Sequence, residues 1–186
     1  ISVADQIASD LETHLAREGA ASIAVPGGTT PAPIFDILSG IERDWSKVTV
    51  LLTDERWVPE SSDRSNARLL RAHLLRGPAG AARFVPFFSP EHDFEDGARA
   101  AAGRVEDLLP LSVLMLGMGT DMHTASLFPR ADGLERALSG DAPALVPISA
   151  RGQEPRISLS ARALQGALST HLVIFGDEKR AALERA

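Results

Sequence analysis

The chain has 186 residues, a formal net charge of -6, 44% hydrophobic and 24% charged residues, and no cysteine. That length favours one domain (1–186) with a buried core, and the composition is that of a globular chain rather than a disordered one. The acidic balance argues against a nucleic-acid partner; the lack of cysteine excludes disulfides, thiolate nucleophiles and Cys-bound zinc and fits a reducing cytoplasm; no apolar run approaches the ~20 residues that cross a bilayer.

Val3, Ile7, Leu11 and Leu15 recur at helical spacing and predict an amphipathic helix. Ser22–Val25 reads as a short strand that runs into the turn residues Pro26-Gly27-Gly28-Thr29-Thr30-Pro31. Pro31 suits a first helical position with Thr30 as cap, and Ile34, Phe35 and Leu38 give that helix its apolar face. Val48–Thr53 reads as a strand buried on both sides, followed by a loop from Asp54 to about Asp63 and a helix over Asn66–Leu75. Phe84–Phe88 is a further strand, Glu91–Leu109 an Ala-rich helix, and Val113–Leu116 the clearest central strand. Leu145–Ile148, Ile157–Leu159 and Leu172–Phe175 are short strands. Ser160 caps a helix from Ala161, and another helix starts at Asp177. The start at Ile1 without Met and the stop inside a helical pattern lead us to expect residues missing at both ends.

Alternation of strands and helices implies an α/β fold: a mainly parallel, doubly wound sheet with helices on both faces. Ligands of such sheets bind beyond the carboxyl ends of the strands, so the loops after Val25, Thr53 and Leu116 hold the candidate site. In the first, Gly27 and Gly28 let backbone approach a ligand, and the next helix aims free N–H groups at it, an arrangement suited to phosphate; a plain tight turn is the alternative. In the second, Asp54-Glu55-Arg56 places charges directly after a buried strand, which is costly unless they face a cleft or pair. Arg56 has the paired donors that grip a phosphate, and Asp54 can orient a side chain or meet sugar hydroxyls; a structural ion pair is the alternative.

The third loop, Gly117-Met118-Gly119-Thr120-Asp121-Met122-His123, superficially resembles a dinucleotide turn. The third glycine of that fingerprint is missing, and no acidic residue follows a predicted strand at the required distance. What remains is Asp121 two residues from His123, and histidine is the side chain best suited to move protons near neutral pH. His14, His73, His92 and His171 lack such surroundings and read as packing or surface residues. No metal-ligand spacing and no Gly-x-Ser-x-Gly elbow is present, so neither a metal nor a cofactor is expected, and Ser126 reads as structural. Arg151 and Arg156 both lie just before a strand, and either could clamp an anion; an exposed loop is the alternative.

Taken together, Gly27-Gly28-Thr29-Thr30-Pro31, Asp54-Glu55-Arg56, Ser65-Asn66, Leu116–Pro129 and Arg156-Ile157-Ser158-Leu159 resemble, in order, the motifs of the 6-phosphogluconolactonase family. Met122 departs from the family's glycine at that place, and a positive φ there would strain it by ~1 kcal/mol. Arg151 stands where the family usually has Lys. Glucosamine-6-phosphate deaminase is the related alternative, but it carries Asp-Glu-Tyr where this chain has Asp54-Glu55-Arg56; a non-catalytic sugar-phosphate binder is a further one.

The resemblance implies hydrolysis of 6-phosphoglucono-1,5-lactone without cofactor or metal. It makes His123 the general base, with Asp121 or Asp54 orienting it or the sugar. Gly27, Gly28, Thr29, Thr30, Arg56, Asn66 and Arg151 would bind the substrate, with Arg56, Arg151 and the N–H groups after Gly28 on its phosphate. The expected partner is the small sugar-phosphate lactone, not nucleic acid or membrane, and the expected assembly is a monomer or small homo-oligomer.

Overall fold

Helix α1 (Val3–Glu18) opens the fold. Ser2 accepts from the Asp5 N–H while the Asp5 carboxylate accepts from the Ser2 N–H, a reciprocal cap. Gly19 ends the helix in the left-handed conformation. The apolar face turns Ala4, Ile7, Ala8 and Leu11 inward, as the periodicity predicts. The computed structural model describes residues 2–28 and 30–185.

The central sheet contains β1 (Ala21–Val25), β2 (Val48–Leu52), β4 (Arg83–Val85), β5 (Val113–Leu116) and β8 (Ser169–Leu172), in the order β4-β2-β1-β5-β8. Every pairing in it is parallel. Parallel central strands are covered on both faces, which explains why β1 is buried at every position. The expected mainly parallel α/β architecture is therefore the one observed, with α1 packed against β1, β5 and β8.

A second, three-stranded sheet departs from that expectation. β3 (Asp54–Arg56) pairs antiparallel with β7 (Arg156–Leu159), which pairs antiparallel with β6 (Leu145–Ile148). Asp54–Arg56, read from sequence as loop, is thus an edge strand that leaves the main sheet immediately after Thr53. The third main strand, β4, spans Arg83–Val85 rather than Phe84–Phe88. The last main strand is Ser169–Leu172 rather than Leu172–Phe175, because the segment in parallel register with Val113–Leu116 is Ser169–Leu172.

Among the helices, α2 (Ala32–Ser39) takes Pro31 as its N-cap, with no side-chain cap, so Thr30 does not serve as expected. Helix α3 (Asn66–His73) is capped by Ser65 and α6 (Ala161–Gln165) by Ser160, both through side-chain oxygens. Helix α4 (Phe94–Glu106) packs its alanines inward and lies against β6. The short α5 (Leu134–Leu138) has no counterpart in the sequence reading, and α7 (Asp177–Leu183) begins where a helix was expected.

The chain moves outward from β1 to β2 and β4 on one side, then returns to place β5 and β8 on the other. The switch point therefore lies between β1 and β5. The glycine loop after Val25 and the glycine loop after Leu116 meet beyond their carboxyl ends, where doubly wound sheets bind ligands.

Candidate active site

A cavity of about 320 Å³ opens at that switch point. Gly27, Gly28, Thr30, Asp54, Arg56, Asn66 and His123 all line it, joined by Arg156 and Lys179. The chain is acidic overall, yet Arg56, Arg156 and Lys179 outnumber the single carboxylate, Asp54, on this wall. Such a local reversal of charge favours an anionic ligand.

The imidazole is set by a tight turn. The Gly119 N–H donates to the His123 carbonyl at 2.9 Å, and the Met122 N–H to the Gly119 carbonyl at 3.0 Å. His123 Nδ1 lies 2.5 Å from Asp121 Oδ1. Burial alone would raise the Asp121 carboxyl, but the hydrogen bond and charge of His123 outweigh it and hold Asp121 below the ordinary carboxylate range. An ionised Asp121 can only accept, so Nδ1 carries a proton, and in the neutral ring the lone pair is on Nε2. The ring also packs on Phe128, centroids 4.3 Å apart. Gly119 makes this possible, since a Cβ there would come within 2.4 Å of the imidazole and 2.5 Å of the Asp121 carboxylate. Met122 has φ 68, the left-handed conformation expected of a glycine at this place.

Asp54 is held differently. Ser126 Oγ donates to its Oδ2 at 2.5 Å and Thr53 Oγ1 to its Oδ1 at 3.1 Å, all three buried. Arg156 Nη1 stands 4.0 Å away. Of the two aspartates left open by the sequence, Asp121 therefore holds the imidazole, and Asp54 ties β3 to the loop carrying Ser126.

The cations face one another. Arg56 and Arg156 are directly opposed across the antiparallel β3–β7 pair, so their side chains share a face of the sheet. Burial, and then the neighbouring Arg56, pull Arg156 below the usual guanidinium value. Arg156 also stacks on Phe128 at 4.8 Å. Among the described residues, the buried Nε atoms of Arg56 and Arg156 have no hydrogen-bond partner.

The remaining expected residues divide. Asn66 Nδ2 donates to the Asp54 carbonyl at 2.9 Å, and Asn66 Oδ1 accepts from Arg56 Nη1 at 3.2 Å. Its amide lies so close over Gly27 that a Cβ there would meet it at 1.9 Å. Gly28 has φ +90, which needs glycine. Thr29 falls outside the described residues. Arg151 is exposed on the turn before β7 and does not line the cavity; Arg156 stands there instead. His73 and His171 bond Asp36 and Asp10 and His14 is buried, away from the cavity. Among the described residues no group of three or more His, Asp or Glu side chains is placed to hold a metal, and no helix is long and apolar enough to cross a membrane.

The family model described as glucosamine-6-phosphate isomerases/6-phosphogluconolactonase matches residues 1–186. The chain belongs to this family. The 6-phosphogluconolactonase of Rhizobium meliloti (strain 1021) is 45% identical over 99% of this chain and 81% of its own length. That of Pseudomonas aeruginosa is 42% identical over 99% and 79%. The crystal structure of a 6-phosphogluconolactonase from Shewanella baltica superposes with a TM-score of 0.94 at 37% identity, covering 98% of this chain and 79% of that one.

Three residues of this family member escaped the sequence reading. Lys179, one turn into α7, carried no signal beyond a lysine soon after Gly176. Phe128 was visible only as part of the Leu116–Pro129 motif. Glu55 was read as one of three charges, although its neighbours Arg56 and Asn66 were both singled out.

Proposed function

We propose that this chain hydrolyses 6-phosphoglucono-1,5-lactone to 6-phosphogluconate, with His123 Nε2 as the proton acceptor. The observation that carries the reading is the single cavity shared by a His123 whose Nδ1 is occupied by Asp121 and by the opposed guanidinium groups of Arg56 and Arg156.

The phosphate occupies the Arg56–Arg156 face, where Asn66, Thr30 and the Gly27-Gly28 backbone add hydrogen-bond donors and Lys179 adds charge. Each charged hydrogen bond contributes about 1.5–3 kcal/mol. Anchoring the remote phosphoester fixes the lactone carbonyl near the imidazole. Nε2 then takes a proton from water as its oxygen bonds to the carbonyl carbon. Collapse of the tetrahedral intermediate breaks the bond to the ring oxygen, and Nε2 returns the proton to that oxygen. The new carboxylic acid ionises in water. Asp121 stabilises the transient imidazolium and keeps Nε2 the reacting nitrogen. Arg151, on the exposed turn, has no place in this scheme.

A coupled assay on freshly generated lactone, corrected for spontaneous hydrolysis, tests it. His123→Ala should lower turnover ~10²–10⁴-fold while product still binds; normal turnover would remove His123 from the chemistry. Arg56→Ala should weaken use of the phosphorylated lactone ~100-fold, with glucono-1,5-lactone little changed. Equal losses on both would remove Arg56 from phosphate binding.

A further inference from the structure

Glu55 is 2% exposed and does not line the cavity, although both of its chain neighbours do. Its Oε1 accepts from the Arg56 and Asn66 N–H groups, both at 2.8 Å. Its Oε2 accepts from the Ala67 N–H at 2.8 Å and the Ser65 hydroxyl at 3.1 Å. Burial pushes its carboxyl up, against the pull of these bonds. Burying a carboxylate is costly, and an apolar side chain of similar volume is often as stable or more so. Stability alone therefore does not call for glutamate here.

What the carboxylate does is join β3 to the first turn of α3. Two of the four groups it holds belong to Arg56 and Asn66, whose side chains face the cavity, bond each other, and in the case of Asn66 lie over Gly27. We propose that Glu55 is a positioning residue for anion binding: it fixes the Arg56 guanidinium and the Asn66 amide in their ligand-ready places without touching the ligand. Groups already in place lose less freedom when the ligand arrives, which strengthens binding. The proposal rests on Arg56 being the phosphate clamp.

Glu55→Gln tests it. The amide keeps the size, but its NH2 group must face two of the four donors, so either β3 or the start of α3 shifts. Steady-state kinetics should show KM for 6-phosphoglucono-1,5-lactone rising ~10-fold, kcat changing less than ~2-fold, and kcat/KM for glucono-1,5-lactone changing less than ~2-fold. In an Arg56→Ala background the same substitution should cause a much smaller further loss of phosphate preference, that carried by Asn66 alone, because residues acting through one another are not additive.

Should Glu55→Gln fail to fold, Ser65→Ala removes one donor and should move KM ~2–3-fold in the same direction. Equal losses on both substrates, an unchanged KM, or a full additive loss on top of Arg56→Ala would each overturn the proposal. If Arg56→Ala proves selective for the phosphorylated substrate and Glu55→Gln does not, only the positioning role fails. If Arg56→Ala is itself unselective, the phosphate clamp fails and the positioning role with it.

Discussion

The two halves of the cavity are held to very different degrees. On the Arg56 side, Asp54, Glu55 and Asn66 are each at most 7% exposed, and their hydrogen bonds join β3 to the start of α3 and to the loop carrying Ser126. On the His123 side, the imidazole rests on an exposed turn, with Asp121 53% and Met122 44% exposed. The binding half is held by many buried hydrogen bonds, so losing one weakens binding without displacing the whole wall. The reacting half depends on one carboxylate, one ring contact and one glycine. A site can thus afford a strained residue next to its reacting group when recognition is secured elsewhere.

The contrast breaks most sharply at Gly119. Gly119→Ala adds a Cβ that can be accommodated only by moving the imidazole and Asp121 side chains. Turnover should fall ~100-fold, since a displacement of about 1 Å costs that much, while the melting temperature moves little; an active Gly119→Ala enzyme would mean the turn has slack. Asp121→Asn comes next. It leaves the ring without an obligate acceptor at Nδ1, and kcat should drop ~10-fold or more with KM for the phosphorylated lactone unchanged. A rise in KM instead would place Asp121 on the substrate.

Met122→Gly sharpens the comparison from the other direction. Relief of ~1 kcal/mol of left-handed strain, partly offset by the greater freedom of the unfolded chain, should raise stability by about 0.5 kcal/mol in denaturant titration, with activity retained. Lost activity would give the methionine side chain a role at the cavity mouth.

The smallest effect is expected at an exposed pair outside the cavity lining, where Arg64 Nε bonds Glu154 Oε1 at 2.8 Å and holds Glu154 down to about 2. A depressed carboxyl stabilises the fold above its unfolded value and loses that contribution as pH falls towards the folded one. Glu154→Gln should therefore lower the melting temperature slightly at neutral pH, and the gap should close between about pH 4.5 and 2. A gap that persists at the acid end would assign the effect to packing.

Much of this was legible in the chain. The Val113–Leu116 run, the glycines after Val25 and the Asp121–His123 spacing each follow from a local rule, and the structure honours them. Three of the misses share one cause, which is pairing between distant segments. Asp54-Glu55-Arg56 has no strand pattern because its side chains are satisfied by α3 and the loop at Ser126, not by an apolar layer. Arg156 rather than Arg151 meets the cavity because the β3–β7 register sets it opposite Arg56, and register across about a hundred residues leaves no trace in composition. Leu172–Phe175 attracts a strand assignment through its apolarity, yet the chain pairs three residues earlier, where Ser169–Leu172 matches Val113–Leu116.

The opposed arginines have a practical corollary. Like charges facing each other across two strands work against the small sheet that carries them, so any multivalent anion that enters between them relieves a repulsion as well as forming bonds. Ligands that bind the native state shift unfolding by mass action. Heat denaturation of this protein therefore serves as a ready sensor of occupancy: a panel of phosphorylated sugars and simple oxyanions, ranked by the temperature at which the fold gives way, would map what the pocket accepts before any turnover is measured.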